Sequence, residues 1–416
     1  MKKFIYVISF FMVLPGVFFA QSNIGVVSET GNDHIATIGQ TGIQNASYVT
    51  QTENKNTATV TQINESKKLN TYSEVNQSGE KNEATVAQTS DAKYVSFLAA
   101  GTLNALINQS GDGNNALQVQ GPHDQQGKSD AKIDQSGNNN SASQNQVKFG
   151  NEATIDQSGN NNTAGQAQDA ELLSTDEGSF NQATIKQTGN RNMATQKQNG
   201  ATNIAWTIQT GNWNSSTQTQ KGLYDDVKLY QSGSHNTAVQ DQKSMLNVAE
   251  IDQSGNSNYA QQTQDNGIIG GYNTALINQS GNSNGAYQEQ YGILNDAKID
   301  QSGFTNTANQ TQTGFQNGAK IDQSSSYSTA VQIQKSKIGF DLDILNKAEI
   351  NQKGGSFNYA EQDQDSPGGN VALNNAFIMQ DGSMNTAVQD QMGGNNSSTI
   401  SQTGKGNNAF VTQTMP

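Results

Sequence analysis

Residues 151–168 read NEATIDQSGNNNTAGQAQ, and this stretch recurs with small changes along most of the 416-residue chain. Counted from the Gln of each Gln-(Ser/Thr)-Gly triplet, Gly follows at +2, Asn at +5, Ala at +7 and a second Gln at +11. Ser216 takes one of the Ala places, and the unit at Gln323 lacks the Gly and the Asn. Such units open, among other places, at Gln135, Gln157, Gln187, Gln209, Gln231, Gln253, Gln279, Gln301 and Gln380, the last with Asp381 in the Ser/Thr place. Self-similarity at a fixed period indicates a repeat architecture.

The spacing of the units is 22 residues wherever nothing is inserted, and each unit divides into two halves of 11. About 16 such units fit between residues 29 and 413. The insertions follow the second half of a unit, with one extra residue at Gly354-Gly355 as the exception. They fall within residues 62–77, 88–109, 120–135, 168–187, 264–279, 334–352 and 364–380. Because a repeat fold tolerates insertions at loops on one side, this phase predicts an ordered solenoid.

The alternation inside each half-unit predicts β-strands. In residues 151–157, Asn, Ala, Ile and Gln stand at every second position, so in a strand these side chains share one face. A helix would scatter them, since it needs apolar residues at spacings of three and four. The Gln-Ser-Gly-Asn-Asn segment suits a tight turn, because Gly and Asn accept left-handed backbone. We therefore predict an all-β fold, a β-solenoid with two short strands per coil of about 22 residues, about 16 coils and a cross-β, amyloid-like core.

The composition requires an unusual interior. Hydrophobic residues make up 32% of the chain and charged residues 14%, against about 45–50% and about 25% in ordinary globular proteins. We expect Ala and Ile columns to supply a thin apolar contact, while Gln and Asn columns stack on themselves, each amide donating to one neighbouring copy and accepting from the other. Such columns satisfy buried amides that would each cost about 1–3 kcal/mol if unpaired.

Residues 1–20 differ from the rest and have the layout of a secretory signal. Lys2 and Lys3 precede an uncharged run over residues 4–19, and the small residue Ala20 follows. The run is shorter than the roughly 20 residues that span a bilayer. We predict that residues 1–20 are a signal peptide and that residues 21–416 form one solenoid domain without an integral membrane segment. The formal charge of the full chain is −13, and it becomes more negative when Lys2 and Lys3 are removed, which argues against a nucleic-acid partner.

The repeat with Gln at 0, Gly at +2, Asn at +5, Ala at +7 and Gln at +11, behind a signal peptide, resembles the curlin family. Curlins are secreted subunits of curli, the amyloid fibres of bacterial biofilm matrix. The resemblance covers nearly all of the chain after residue 20. It implies export as an unfolded chain through a curli-type outer-membrane pore, with a periplasmic chaperone, and assembly with a nucleator outside the cell.

The resemblance also assigns the inward ladder of the amyloid core, position by position. The residues that it implies are Gln135, Gly137, Asn140, Ala142, Gln146, Gln157, Gly159, Asn162, Ala164, Gln168, Gln187, Asn192, Ala194, Gln198, Gln231, Gln253, Gly255, Asn258, Ala260, Gln264, Gln279, Gln301, Asn306, Ala308, Gln312, Gln402, Asn407, Ala409 and Gln413. The chain departs from the family in its larger number of coils, and in Asn151, Asn181 and Asn247, where the motif often has Ser. Whether the subunit forms the main fibre or nucleates it stays open.

The function that we expect is a secreted structural subunit that polymerises head-to-tail into curli-like fibres for biofilm and cell adhesion. The last unit, opened by Gln402, is regular up to Gln413, and no capping element is visible in the sequence. A monomeric β-solenoid adhesin or ice-binding protein is the alternative. A solenoid enzyme is disfavoured, because the chain shows no catalytic cluster.

Cofactor and metal chemistry have little support in the sequence. The chain has no Cys and three His, and we interpret His34 and His235 as occupying the Asn place of the motif. An outward column of Asp is expected to attract Ca²⁺ only weakly, since the spacing lacks the Gly-Gly-x-Gly-x-Asp pattern of calcium β-rolls; its members are Asp134, Asp156, Asp252, Asp300 and Asp322. We therefore expect no cofactor and no metal site.

Overall fold

The structure is a computed structural model of the chain, and its described part is all-β. It describes residues 23–65, 69–90, 101–123, 128–169, 180–265, 271–336, 345–366 and 373–414. No helix occurs within these ranges. The chain divides into two compact units, Met1–Thr207 and Ile208–Pro416. The predicted signal peptide at residues 1–20 lies outside the described residues.

The first unit contains strands of six to ten residues. Its odd-numbered strands are β1 (Ile24–Asn32), β3 (Asn45–Asn54), β5 (Leu69–Ser78), β7 (Gly101–Ser110), β9 (Ser129–Ser136), β11 (Glu152–Asn160) and β13 (Gln182–Asn190). Its even-numbered strands are β2 (Ile35–Gly42), β4 (Thr57–Asn64), β6 (Glu83–Ser90), β8 (Asn115–His123), β10 (Ser141–Gln146), β12 (Thr163–Asp169) and β14 (Met193–Ala201). Strand β15 (Ile204–Asn212) crosses the division between the units.

The second unit has the same organisation. Its even-numbered strands are β16 (Ser215–Leu223), β18 (Thr237–Met245), β20 (Tyr259–Asp265), β22 (Gly285–Ile293), β24 (Thr307–Phe315), β26 (Thr329–Ser336), β28 (Tyr359–Ser366), β30 (Thr386–Met392) and β32 (Asn408–Thr414). Its odd-numbered strands are β17 (Asp226–Ser234), β19 (Val248–Asn256), β21 (Thr274–Asn282), β23 (Asp296–Phe304), β25 (Gly318–Gln323), β27 (Leu345–Lys353), β29 (Leu373–Ser383) and β31 (Ser397–Lys405).

Within each unit, odd strands pair with odd strands and even strands with even strands, always in parallel. The register keeps the motif aligned. Ile155 of β11 lies opposite Ile133 of β9 and Ile185 of β13. One odd and one even strand therefore make one turn of a parallel β-solenoid with a spacing of about 22 residues. This confirms the predicted fold class, and the 16 odd and 16 even strands of the described residues agree with the expected number of about 16 coils.

The alternation of the sequence determines which side chains enter the core. In β11, Ala153, Ile155 and Gln157 are buried, whereas Thr154 and Asp156 on the other face are partly exposed. The same alternation repeats in most strands. The first unit contains a cluster of buried Ala, Ile and Val side chains, which includes Ile155 and Ala164. The second contains a cluster of buried Ala and Ile side chains with Leu229, which includes Ile251 and Ala260. The core is therefore thin and is bordered by Gln and Asn.

Two residues of most motif turns take left-handed backbone. After β11 these are Gly159, with φ of 108°, and Asn161, with φ of 57°. The predicted insertions fall between an even strand and the next odd strand, as the strand bounds require. Within the ranges that contain the insertions, residues 66–68, 91–100, 124–127, 170–179, 266–270, 337–344 and 367–372 lie outside the described residues.

Candidate assembly core and end surfaces

A column of Gln side chains runs through the odd strands of each unit. The Gln157 Nε2 donates to the Gln187 Oε1 at 2.8 Å, and the Gln157 Oε1 accepts from the Gln135 Nε2 at 2.8 Å. In the second unit the same bonds join Gln231, Gln253, Gln279, Gln301 and Gln323. Each Gln side chain in the middle of the column therefore has both neighbours that an amide column requires.

A second column passes through the even strands. The Gln146 Nε2 donates to the Gln168 Oε1 at 3.0 Å, and the Gln264 Nε2 donates to the Gln290 Oε1 at 2.8 Å. The same Nε2 atoms also donate to backbone carbonyls of the facing strand, as Gln168 does to Glu152 at 3.0 Å. These bonds connect the two sheets of a coil as well as the coils to one another.

A third Gln column was missed as a site by the sequence analysis. Two residues before the second motif Gln, Gln144 donates to Gln166 at 2.9 Å, and Gln240 donates to Gln262 at 3.0 Å. These side chains are buried as deeply as those of the other two columns. The signal was present in the sequence, since both Gln of the Gln-x-Gln that ends the unit recur at the same places.

The motif Asn residues form columns of a different kind. The backbone N–H of Asn162 donates to the Asn140 Oδ1 at 3.0 Å, and the Asn162 Nδ2 donates to the Gly189 carbonyl oxygen at 2.8 Å. Side chain to side chain contact is present but longer, at 3.2 Å between Asn162 and Asn140. Because Asn is one methylene shorter than Gln, its amide reaches the turn backbone of the adjacent coil. The column therefore fixes the turns to one another.

The residues that the resemblance assigned to the ladder fall into two groups by burial. The Gln, Asn and Ala residues among them are buried up to Gln402, whereas Asn407, Ala409 and Gln413 in the last coil are half-buried. The glycines Gly137, Gly159 and Gly255 are also half-buried, and each has a positive φ. They lie at the turn beside the core, because their function in the coil is to permit the left-handed turn.

One position of a buried Asn column carries a carboxyl group. Asp225 occupies the place that Asn247 has one coil later, and it is 1% exposed. Its Oδ1 accepts from the backbone N–H of Asn247 at 3.0 Å and from the Asn247 Nδ2 at 3.2 Å. Burial raises the pKa of the Asp225 carboxyl to about 7, although these hydrogen bonds act in the opposite direction.

The predicted Asp column lies on the outward face, where lysines accompany it. The Lys132 Nζ lies 2.6 Å from the Asp134 Oδ2, and the Lys186 Nζ lies 3.5 Å from the Asp156 Oδ2. Within the described ranges, no three His, Asp or Glu side chains come together as a metal site would require. The column thus contributes to a surface of mixed charge.

The two histidines differ from each other. His34 takes the Asn place, since its Nδ1 lies 3.4 Å from the backbone nitrogen of Asn56. The interpretation was wrong for His235, which precedes Asn236 and has a φ of 60°. Its ring stacks on Trp213, with ring centroids 6.0 Å apart. His235 is therefore a turn residue, one position before the Asn column.

The coils at the two ends expose residues that are buried elsewhere. In β32, Ala409, Val411 and Gln413 are half-buried although they belong to the inward face, and in β2 the same is true of Ile38 and Gln40. Each of β1, β2, β31 and β32 pairs with a described strand on one side only. The ends therefore present open strand edges within the part of the chain that the structure describes.

Residues 270–303 and 390–414 match the family model of the curlin associated repeat. These two segments are similar to the curlin associated repeat. The second match includes the last coil of the described solenoid, β31 and β32. A search of curated proteins found no match to the chain. None of the described residues belongs to a helix with the length and apolar character of a membrane-spanning segment.

Proposed function

We propose that this chain is a secreted structural subunit that polymerises head-to-tail into extracellular, curli-like amyloid fibres of biofilm matrix. The observation that carries the proposal is the last coil. It is similar to the curlin associated repeat, its inward residues Ala409, Val411 and Gln413 are half-buried, and one edge of β32 has no described strand beside it. An open edge with aligned backbone groups is a template for another strand.

The interior of each unit supports an amyloid role for the ladder residues. Parallel, in-register strands with stacked Gln and Asn amides are the arrangement that stabilises cross-β fibres. A head-to-tail contact between different ends does not close on itself, so it propagates into a filament. The columns through Gln157 and Gln253 would then continue from one subunit into the next.

Export belongs to the same proposal. Residues 1–20 direct the chain out of the cytoplasm, and a curli-type outer-membrane pore, a periplasmic chaperone and a nucleator are its proposed partners. The chain acts on the cell surface without catalysing a reaction.

The proposal is tested with the chain that begins after Ala20, purified from denaturant. We expect thioflavin fluorescence to rise after a lag, and preformed fibres to remove the lag. The fibres should diffract at about 4.7–4.8 Å and about 10 Å, the spacings between strands and between sheets. A folded chain that stays monomeric for days at micromolar concentration, with or without seeds, would overturn the proposal and support the monomeric adhesin.

A further inference from the structure

The Gln columns have a direction. In the interior, the Gln157 Nε2 donates to the Gln187 Oε1 of the later coil and also to the Ser141 carbonyl oxygen at 3.1 Å. A backbone carbonyl only accepts, so this second bond fixes which end of the amide carries the N–H groups. The bonds in all three Gln columns run in this sense, from the earlier coil to the later one.

The two ends of the described chain are therefore chemically different. In the last coil, the Gln413 Oε1 accepts from Gln391 at 3.0 Å, and its Nε2 donates to the Ser397 carbonyl oxygen at 2.9 Å. Its second N–H has no acceptor among the described residues. In the first coil, the Gln40 Nε2 donates to Gln62 at 2.8 Å, while its Oε1 has no donor among the described residues. One end offers donors and the other offers acceptors.

The third Gln column changes its chemistry at both ends. It is Gln in every coil from Gln118 to Gln389, but the corresponding places are Ile38, Val60 and Val86 in the first three coils and Val411 in the last. Opposite Gln389, the Val411 side chain cannot accept the hydrogen bond that continues the column. The single molecule therefore lacks the stabilisation of that hydrogen bond. Because Val411 is only half-buried, the burial of its side chain does not compensate for the loss.

We infer that the last coil stacks in register on the first coil of a second copy, with Val411 packed on Ile38 and the Gln413 amide donating to the Gln40 Oε1. This inference rests on the proposed function and specifies the joint between its subunits. The apolar run then continues as Val411, Ile38, Val60 and Val86, as it does inside the first unit. In the odd strands the same register brings Ile400 onto Val27, which extends the Ile column.

The direction of the amides selects the pairing of ends. Two last coils facing each other would bring the unused Gln413 N–H groups together, and two first coils would bring the Gln40 oxygens together. Each such pair leaves polar groups unpaired in a contact that excludes water, which costs about 1–3 kcal/mol per group. The joint therefore forms only between unlike ends, and every fibre has a single polarity.

The natural chain has no Cys, so introduced cysteines can form disulfides only with one another. Strands that pair in parallel register lie about 4.7–4.9 Å apart, within the Cα separation that a disulfide accepts. We expect fibres of the Ile38→Cys, Val411→Cys double variant, grown under reductant and then oxidised, to give a ladder of covalent multimers on a non-reducing gel. Each single variant should give monomer, and dimers from Val411→Cys alone would overturn the inferred polarity.

The matched control combines Ile38→Cys with Thr412→Cys, which is on the same strand but faces outward; we expect no ladder. A second measurement covers the case in which the cysteine chains assemble poorly. With wild-type seeds, Val411→Gln should elongate about tenfold more slowly, because its amide meets Ile38 without a partner, while Thr412→Gln stays within about twofold of wild type.

The outcomes separate the two proposals. A wild-type chain that forms no seeded fibres contradicts the proposed function itself. Wild-type fibres that grow normally, together with no ladder from the double variant and an unchanged rate for Val411→Gln, show that subunits join elsewhere and overturn the inferred joint.

Discussion

The interior coil made by β11 and β12 and the last coil made by β31 and β32 share one motif, but they differ in burial. Ala164 and Gln168 of β12 are 2% and 1% exposed, whereas Ala409 and Gln413 occupy the same places in β32 and are half-buried. Their backbone and their inward direction are alike. What the last coil lacks is a described layer on its outer side.

This difference shows where the stability of the fold comes from. No coil encloses its own core, so each side chain is buried by the coils before and after it, and stability is close to a sum over neighbouring layers. An end coil has received only half of that contact. A substitution should therefore cost more in an interior coil than at the matched place in the last coil, until a second copy covers the end.

The largest expected contrast is between Gly159 and Gly404. Both have positive φ, near 108° and 102°. A Cβ on Gly159 would overlap the backbone carbonyl of Gly189 in the next coil, while at Gly404 the nearest atom is the Asn407 Nδ2 at 3.9 Å. We expect Gly159→Ala to lower the free energy of unfolding by at least about 4 kcal/mol, and Gly404→Ala by about 1–2 kcal/mol from backbone strain alone.

Guanidinium denaturation of the unassembled chain, followed by circular dichroism, measures both values. The same pair should behave differently in seeded growth, because the Cβ of Gly404→Ala stands where the next subunit would stack. Equal losses of stability for the two variants would contradict the view that neighbouring layers determine the cost.

Much of this fold could be predicted from residues 151–168 and from the spacing at which this stretch recurs. A period of two within each half-unit and a phase of 22 residues leave few alternatives to stacked parallel strands, and Gly-Asn turns fix where the strands end. The amide columns also follow, because identical residues in register must meet their own copies. Residues of this kind determine local structure and neighbour contacts together, so the sequence is informative about both.

Other features depend on geometry that a repeat pattern does not contain. The direction of the amide bonds follows from which backbone carbonyl lies beside each Gln, and only the structure places that carbonyl. The left-handed turn position carries Arg191, Tyr224 and His235 as well as Asn161. Because many residue types occupy this position, the residue type alone does not identify it. His235 was for this reason assigned to the neighbouring Asn column.

Asp225 extends the comparison to an interior coil, because it places a carboxyl group in the buried Asn column, at the position that Asn247 has in the next coil. Its pKa of about 7 in the folded chain lies above the ordinary value of 3.8, so the folded state holds the proton more tightly than the unfolded state. Stability is then full below pH 4 and falls as the pH rises towards 7. At about 1.4 kcal/mol per pH unit, the loss reaches at most about 4 kcal/mol.

We expect Asp225→Asn to leave the free energy of unfolding almost unchanged at pH 4 and to raise it by up to that amount at pH 8. Asp156→Asn removes the same charge from the outward face, beside Lys186, and is the matched control. Denaturation curves at several pH values decide the matter. A gain for Asp225→Asn that is as large at pH 4 as at pH 8 would show that the carboxyl is not the cause.

The smallest expected contrast concerns a single amide in the two coils. Gln157→Ala removes a donor to Gln187 and an acceptor for Gln135, and it leaves both partners buried without that bond. Gln413→Ala removes the bond from Gln391 and the bond to the Ser397 carbonyl oxygen, both in a place that solvent reaches. In the unassembled chain we expect Gln157→Ala to lower the free energy of unfolding by about 2–3 kcal/mol and Gln413→Ala by about 1 kcal/mol.

In fibres the two losses should become similar, because a second copy would supply Gln413 with its missing acceptor. Denaturant depolymerisation of fibres measures this. If Gln413→Ala stays as mild in fibres as in the free chain, the amide column does not continue from one subunit to the next.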